Sequence, residues 1–134
     1  MRPCLFLDLD SLRAEDARVV ADWVRLCNEL EIAAILLSGR GSTRRGLSRV
    51  DIERLGARID DAYYCPHDTA AACACRLPRH GLLLQAGLRW NVDTKHSILV
   101  GDPRTGAEPA AKLGLRFVSS ADVTETSLMP AMAA

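Results

Sequence analysis

Short apolar runs alternate with longer amphipathic stretches along this chain. The runs show little of the apolar–polar alternation that marks a strand with one wet face, so they predict strands buried on both faces. Strands that alternate with helices are typical of a mainly parallel sheet with helices on both sides, a three-layer α/β sandwich. The predicted strands span residues 3–9, 32–37, 61–65, 97–100 and 115–119.

The stretches between the runs predict helices. In residues 14–30 the apolar side chains, among them Trp23 and Cys27, recur at the spacing of one helix face. Ser48 has an acidic residue three positions later, a weak capping box that predicts the start of a short helix. The core side of this short helix is expected to carry Val50, Leu55 and Ile59. Further helices are predicted at residues 81–90 and 105–113.

Length and composition favour one globular domain. The chain has 134 residues, of which 49% are hydrophobic and 25% charged, so disorder is excluded. We expect the domain to span residues 1–122 and residues 123–134 to form a flexible tail. The formal net charge is zero, which argues against a general binder of nucleic acids or anionic membranes. Apolar runs are far shorter than the roughly 18 residues of a membrane span, and the first residues do not form a signal peptide, so a cytoplasmic protein is predicted.

Polar side chains follow three of the predicted strands. Asp8 and Asp10 end the first run, Ser38 follows the second, and Asp102 follows the fourth. The carboxyl ends of parallel strands meet at one edge of a sheet, where ligands bind in such folds. Carboxylates that converge there repel each other, and a divalent cation with oxygen ligands such as Mg²⁺ would offset that repulsion. The alternative is that these aspartates only start turns or cap helices.

These motifs resemble the haloacid dehalogenase (HAD) superfamily of phosphatases, which has a Rossmann-like fold. The matching residues are Asp8-Leu9-Asp10, Ser38 and Gly101-Asp102. The resemblance implies that Asp8 is the nucleophile, which forms an aspartyl-phosphate, and that Asp10 is the general acid and base. It also implies that Ser38 and Gly39 bind phosphate and that Asp8, Asp10 and Asp102 bind Mg²⁺.

A cysteine- and histidine-rich segment suggests a second metal. Three cysteines and a histidine are a common closed set for structural zinc, and their close spacing lets one loop surround the ion. The alternative is a flexible loop with unligated thiols. The set, within a loop at residues 65–75, is Cys65, His67, Cys73 and Cys75. Cys4 and Cys27 lie in apolar patterns and are expected in the core.

The segment narrows the resemblance to one branch of the superfamily. Cys-x-His followed by Cys-x-Cys-Arg is similar to the heptose-bisphosphate and histidinol-phosphate phosphatases. The resemblance implies a minimal cap, a small phosphorylated substrate and a zinc-binding loop. It also implies phosphate-binding roles for Arg45 and Arg76.

Some positions depart from the family pattern. Leu77 stands where the family has a lysine, and Arg79 or Lys112 is a candidate to replace its charge. Gly106 stands where a second acid often follows the first, and Ser11-Leu12 replaces the usual Gly-Thr.

Three functions therefore remain open. The first is an active Mg²⁺-dependent phosphatase. The second is a degenerate member that binds a phosphorylated ligand or a partner protein without turnover. The third, disfavoured by the zero net charge, is a nucleic-acid end phosphatase that uses Arg40, Arg44 and Arg45.

Overall fold

The computed structural model describes residues 1–39, 46–65 and 81–123. These residues form a five-stranded, wholly parallel sheet with the strand order β3-β2-β1-β4-β5. The parallel sandwich predicted from the sequence is confirmed, and each strand begins and ends within one or two residues of its predicted bounds. The strands are β1 (Cys4–Asp8), β2 (Ala33–Ser38), β3 (Asp61–Tyr64), β4 (Ile98–Gly101) and β5 (Arg116–Ser119).

Four α-helices connect the strands within the described stretches. They are α1 (Ala17–Glu29), α2 (Arg49–Glu53), α3 (Gly81–Trp90) and α4 (Pro103–Leu113). Helix α1 begins three residues later than predicted because residues 14–16 form a 3₁₀ turn, in which the Asp16 carboxylate accepts the Arg13 N–H at 2.9 Å. Among the described residues, no helix is long and apolar enough to cross a membrane.

The start of helix α2 follows the predicted capping box, but its predicted core side is partly wrong. Ser48 Oγ accepts the Asp51 N–H at 3.2 Å, and the Asp51 carboxylate accepts the Ser48 N–H at 3.1 Å. Val50 and Leu55 were expected in the core, but they are 52% and 37% exposed. A helix of five residues has barely more than one turn, so it buries only Ile52, and the chain that follows it buries Ile59.

The sheet has an apolar cluster on each face. Successive β1 residues point to opposite faces, so Leu5 and Leu7 pack with α1 and α2, while Cys4 and Phe6 pack with α3 and α4. The predicted core positions of Cys4 and Cys27 are confirmed, since both are at most 1% exposed. Burial raises the pKa of each thiol to about 12, so both stay protonated at neutral pH.

The strand order places the polar strand ends side by side. Strand β1 lies between β2 and β4, and all three run in the same direction. Asp8 ends β1, Ser38 ends β2, and Asp102 follows β4 as the N-cap of α4. The sheet thus brings the three predicted motifs to one edge.

Candidate active site

A cavity of about 260 Å³ opens at the carboxyl ends of β1, β2 and β4. The residues that line it include five of the predicted site residues, Asp8, Asp10, Ser38, Gly39 and Asp102. The other lining residues are Ser11, Leu37, Leu82, Leu83 and Thr105. We refer to this cavity as the cleft.

Asp8 is the buried carboxylate of the cleft. Asp8 is 6% exposed, and its Oδ1 accepts a hydrogen bond from the Asp10 N–H at 3.1 Å. Gly101 lies beside it on β4, where an added Cβ would be 3.5 Å from Asp8 Oδ2. Burial, with smaller contributions from the negative charges of Asp10 and Asp102, raises the pKa of Asp8 to about 7. A nucleophilic carboxylate must be ionised, so a positive charge is needed beside Asp8 for it to react at neutral pH.

Asp10 is held in place from β2. The chain leaves β1 in a 3₁₀ turn, Leu9–Ser11, in which Ser11 Oγ donates to the Asp8 carbonyl at 2.8 Å. This turn brings Asp10 to the end of β2, where Ser38 Oγ donates to Oδ1 at 2.8 Å and the Gly39 N–H donates to Oδ2 at 2.7 Å. Asp10 is nevertheless exposed, so a substrate can reach its carboxylate.

Asp102 is held by an arginine. Its Oδ1 accepts the Arg104 backbone N–H at 2.9 Å and Nε–H at 3.2 Å, and its Oδ2 accepts an Nη2–H at 2.9 Å. These hydrogen bonds and the charge of Arg104 lower the pKa of Asp102, so it is ionised at neutral pH. The two side chains form the bidentate pair typical of arginine and carboxylate.

A phenyl ring lies beside Gly106, where a second acid often stands in the family. A Cβ added to Gly106 would lie 2.9 Å from Cε1 of Phe117, a distance that forces the ring to move. Gly106 is buried, and Phe117 approaches it from β5. The chain therefore has a tight packing contact here in place of a second carboxylate.

The cleft has the donor chemistry of a hard cation but not a preformed coordination sphere. Across the described stretches, no three His, Cys, Asp or Glu side chains lie close enough together to form a ready-made metal site. The oxygens of Asp10 are engaged by β2 and those of Asp102 by Arg104. Burial and, to a smaller extent, the charges of Asp10 and Asp102 raise the pKa of Asp8, and a divalent cation beside it would favour its ionised form. Mg²⁺ keeps several waters and needs only one or two carboxylates, so the residues fit such an ion.

Five of the lining residues, and Arg104, were not among the predicted site residues. Ser11 was noted only as a departure from the family pattern. Thr105 could have been found, since it lies in the first turn of the helix that Asp102 caps. Leu37 ends an apolar strand, and Leu82 and Leu83 come from α3, so nothing in their local pattern distinguishes them from core residues. Arg104 is 88% exposed and reads as an ordinary surface arginine in the sequence.

Lys112 does not supply the positive charge that Leu77 lacks at the position of the family lysine. Lys112 lies in the last turn of α4, far along the helix from Asp102, and its Nζ pairs with Glu108 at 3.0 Å. Of the described residues that line the cleft, none is a lysine, arginine or histidine.

Several predicted site residues lie outside the described residues. They are Arg45, His67, Cys73, Cys75, Arg76 and Arg79, as are residues 124–134 of the predicted tail. Val123, the first residue of that predicted tail, is 1% exposed and packs in the core. Cys65, the first residue of the predicted zinc set, is described. It is 1% exposed and its N–H donates to the Ser38 carbonyl at 3.0 Å, so the segment after β3 begins beside the end of β2.

The chain is similar in sequence to heptose-1,7-bisphosphate phosphatases. The chain is 28% identical over 145 aligned positions to the D-glycero-beta-D-manno-heptose-1,7-bisphosphate 7-phosphatase of Rhodopseudomonas palustris, covering 85% of this chain and 81% of that protein. It is 32% identical to the D-glycero-alpha-D-manno-heptose-1,7-bisphosphate 7-phosphatase of Photorhabdus laumondii, but over only 50% of this chain and 40% of that protein. No family model matches the chain.

A solved structure shows the same fold. The D,D-heptose 1,7-bisphosphate phosphatase of B. bronchiseptica, complexed with magnesium and phosphate, superposes with a TM-score of 0.63 at 18% identity, covering 86% of this chain and 78% of that one. In sequence and in fold, this chain resembles the HAD superfamily phosphatases. Its sheet is thus a HAD-like sheet, and the cleft lies at the end of the sheet where such folds bind ligands.

Proposed function

We propose that this protein is a Mg²⁺-dependent phosphatase that acts on a small phosphorylated metabolite through an aspartyl-phosphate. The observation that carries the proposal is the pair at the end of β1. Asp8 is buried at the base of the cleft, and Asp10 is fixed above it by Ser38 and Gly39. The curated relatives act on heptose bisphosphates, which makes a sugar phosphate the first substrate to test, with histidinol phosphate as the second.

The two aspartates have separate tasks in this proposal. An Asp8 carboxylate oxygen attacks phosphorus and the bond to the leaving oxygen breaks, while Asp10 gives that oxygen a proton. Water then attacks phosphorus and passes a proton to Asp10, while the bond between phosphorus and the Asp8 oxygen breaks. Inorganic phosphate leaves and the Asp8 carboxylate is restored. The hydrogen bond from Ser38 Oγ keeps Asp10 pointed at the cleft. The proposed binding of phosphate oxygens by Ser38 and Gly39 would require their donors to be shared with Asp10 or released from it.

Asp8, Asp10 and Asp102 would hold the cation. Mg²⁺ supplies positive charge that offsets the repulsion between a carboxylate nucleophile and a phosphate dianion. Asp8 with a pKa of about 7 is partly protonated in the absence of such a charge. Asp102 would have to share its carboxylate with Arg104 or exchange Arg104 for the cation.

The remaining site residues belong to the proposal on the strength of the sequence resemblance. Arg45, Arg76 and Arg79 would bind substrate phosphate, and Cys65, His67, Cys73 and Cys75 would hold a structural zinc that fixes the loop carrying Arg76. Replacing Cys73 by serine should then release zinc and weaken substrate binding together. Loss of zinc with unchanged substrate affinity would contradict this link.

A binding protein without turnover is the second candidate. It is favoured by the lack of a positive side chain among the described residues that line the cleft, because a phosphatase needs positive charge beside its nucleophile. Such a protein would bind phosphate esters without hydrolysing them, and a partner protein could then be its true ligand.

Phosphate release distinguishes the two candidates. We would assay sugar phosphates, including a heptose bisphosphate, and histidinol phosphate with and without Mg²⁺. Asp8→Asn should abolish turnover, whereas Asp22→Asn, at an exposed position of α1, should not change it. A phosphoryl group trapped on Asp8 by acid quenching would support the intermediate. A folded protein that binds these esters without releasing phosphate would instead favour the binding protein.

A further inference from the structure

Arg104 donates hydrogen bonds to the carboxylate of Asp102, which the proposed cation would need as a ligand. Three of its N–H groups donate to the two oxygens of Asp102 at distances of 2.9, 3.2 and 2.9 Å. The side chain of Asp102 is 27% exposed and that of Arg104 is 88% exposed, so the pair lies at the mouth of the cleft and Arg104 can move into solvent.

The position of Arg104 is set by the helix that follows Asp102. Asp102 caps α4, and Pro103 occupies the first helical position, which places the Arg104 N–H within reach of Asp102 Oδ1. The backbone contact alone would satisfy the cap. The two guanidinium contacts are therefore additional to the cap, and they place a positive charge on the carboxylate from outside the cleft.

We propose that Arg104 competes with the divalent cation for Asp102 and so weakens cation binding to the cleft. This inference rests on the cation site of the proposed function. A guanidinium that engages both carboxylate oxygens must be displaced or must share Asp102, and in either case it repels a divalent ion a few ångströms away. The second carboxylate that could compensate is absent, because Gly106 and the ring of Phe117 fill its place.

Arg104 also lines a second polar recess. This recess shares Ser11 and Asp102 with the cleft and is lined as well by Arg13 and Arg104. Arg13 faces the same recess but pairs with Glu15 and Asp16 at 3.6 and 3.7 Å. Arg13 is thus a matched arginine, with the same charge in the same recess but no contact to Asp102.

Direct cation binding tests this inference without any substrate. We would titrate the full chain with Mg²⁺ and with Mn²⁺ by calorimetry, comparing the wild type with Arg104→Met and Arg13→Met. Methionine keeps an unbranched apolar stem and removes the charge. We expect the Arg104 variant to bind either cation about five- to tenfold more tightly, the size expected for removing an exposed charge pair and a like-charge neighbour. Arg13→Met should stay within about twofold of the wild type.

Four results would overturn the inference. Equal affinity in the wild type and Arg104→Met would mean that the arginine does not compete, and weaker binding in the variant would mean that it orients Asp102 for the cation. The same gain in Arg13→Met would mean that only general charge matters, and no binding to either form would remove the site. Tighter binding in Arg104→Met without phosphate release by the wild type would leave this inference standing and contradict only the proposed function.

Discussion

Neutralising Asp8 should stabilise the protein when no cation is bound. Asp8 has a raised pKa of about 7 against an ordinary value of 3.8. The folded state therefore holds the Asp8 proton more tightly than the unfolded state does. Below the ordinary pKa of 3.8, the ionisation of Asp8 does not affect the free energy of unfolding. That free energy falls as the pH rises from 3.8 to the raised pKa of about 7, and it is lowest above about pH 7. A difference of about three pKa units corresponds to about 4 kcal/mol.

Asp8→Asn removes this penalty while keeping an acceptor for the Asp10 N–H, which donates to Asp8 Oδ1 at 3.1 Å. In magnesium-free buffer near pH 8, we expect the variant to have a free energy of unfolding about 2–4 kcal/mol higher than the wild type. Near pH 4 the two should differ by less than about 1 kcal/mol.

Urea denaturation followed by circular dichroism measures both free energies, and Asp22→Asn on the surface of α1 provides the control. Millimolar Mg²⁺ at the higher pH should raise the stability of the wild type and leave Asp8→Asn nearly unchanged. A variant that is no more stable than the wild type at the higher pH would refute the reasoning, because burial and the neighbouring carboxylates would then not be acting on Asp8.

The remaining predictions concern packing, capping and the acid-base residue. Gly106→Ala should destabilise the fold by about 1–3 kcal/mol, because the added Cβ would lie 2.9 Å from the Phe117 ring. Gly87→Ala in α3 is the control and should be neutral or stabilising, because nothing lies within 4 Å of its added Cβ. Equal effects of the two substitutions in urea denaturation would contradict the packing argument. Ser48→Ala should cost about 1 kcal/mol through loss of the α2 cap, and an unchanged unfolding midpoint would show that the cap contributes nothing. Ser38→Ala removes a donor to Asp10 and should lower kcat about 10- to 100-fold with a smaller effect on KM; a change in KM alone would place Ser38 in ground-state binding only.

The order of strands and helices could be read from the sequence, because each strand is a short apolar run and each helix has its own period or cap. Ser48 shows the limit of such local signals. It correctly predicted where α2 begins, but no local signal marks the end of this five-residue helix or its buried side, and the exposed Val50 and Leu55 were placed in the core. Asp8, Asp10, Ser38 and Asp102 could be grouped from sequence because a parallel sheet aligns its strand ends.

The partners within the cleft could not be predicted from sequence. The contact between Asp102 and Arg104 depends on a side-chain rotamer at the start of α4, and an exposed arginine two residues after a cap is usually solvated. Leu82 and Leu83 reach the cleft only because α3 packs on the Phe6 face of the sheet. The first feature depends on a side-chain rotamer and the second on tertiary packing, and the local sequence pattern encodes neither.

One of the departures from the family pattern, Gly106, lies on the β4 side of the cleft. At the ends of β1 and β2, Asp8, Asp10 and Ser38 keep the arrangement that nucleophilic and acid-base chemistry requires. Next to β4, the second acid is replaced by a glycine that packs on Phe117, and the remaining Asp102 is paired with Arg104. We therefore expect the β4 side of the cleft to affect cation affinity more directly than it affects the reacting groups. If that is correct, Arg104→Met should lower the Mg²⁺ concentration needed for half-maximal phosphate release. The rate of phosphate release at saturating Mg²⁺ should stay nearly unchanged. A change in that saturated rate alone would show that the two sides of the cleft do not act separately.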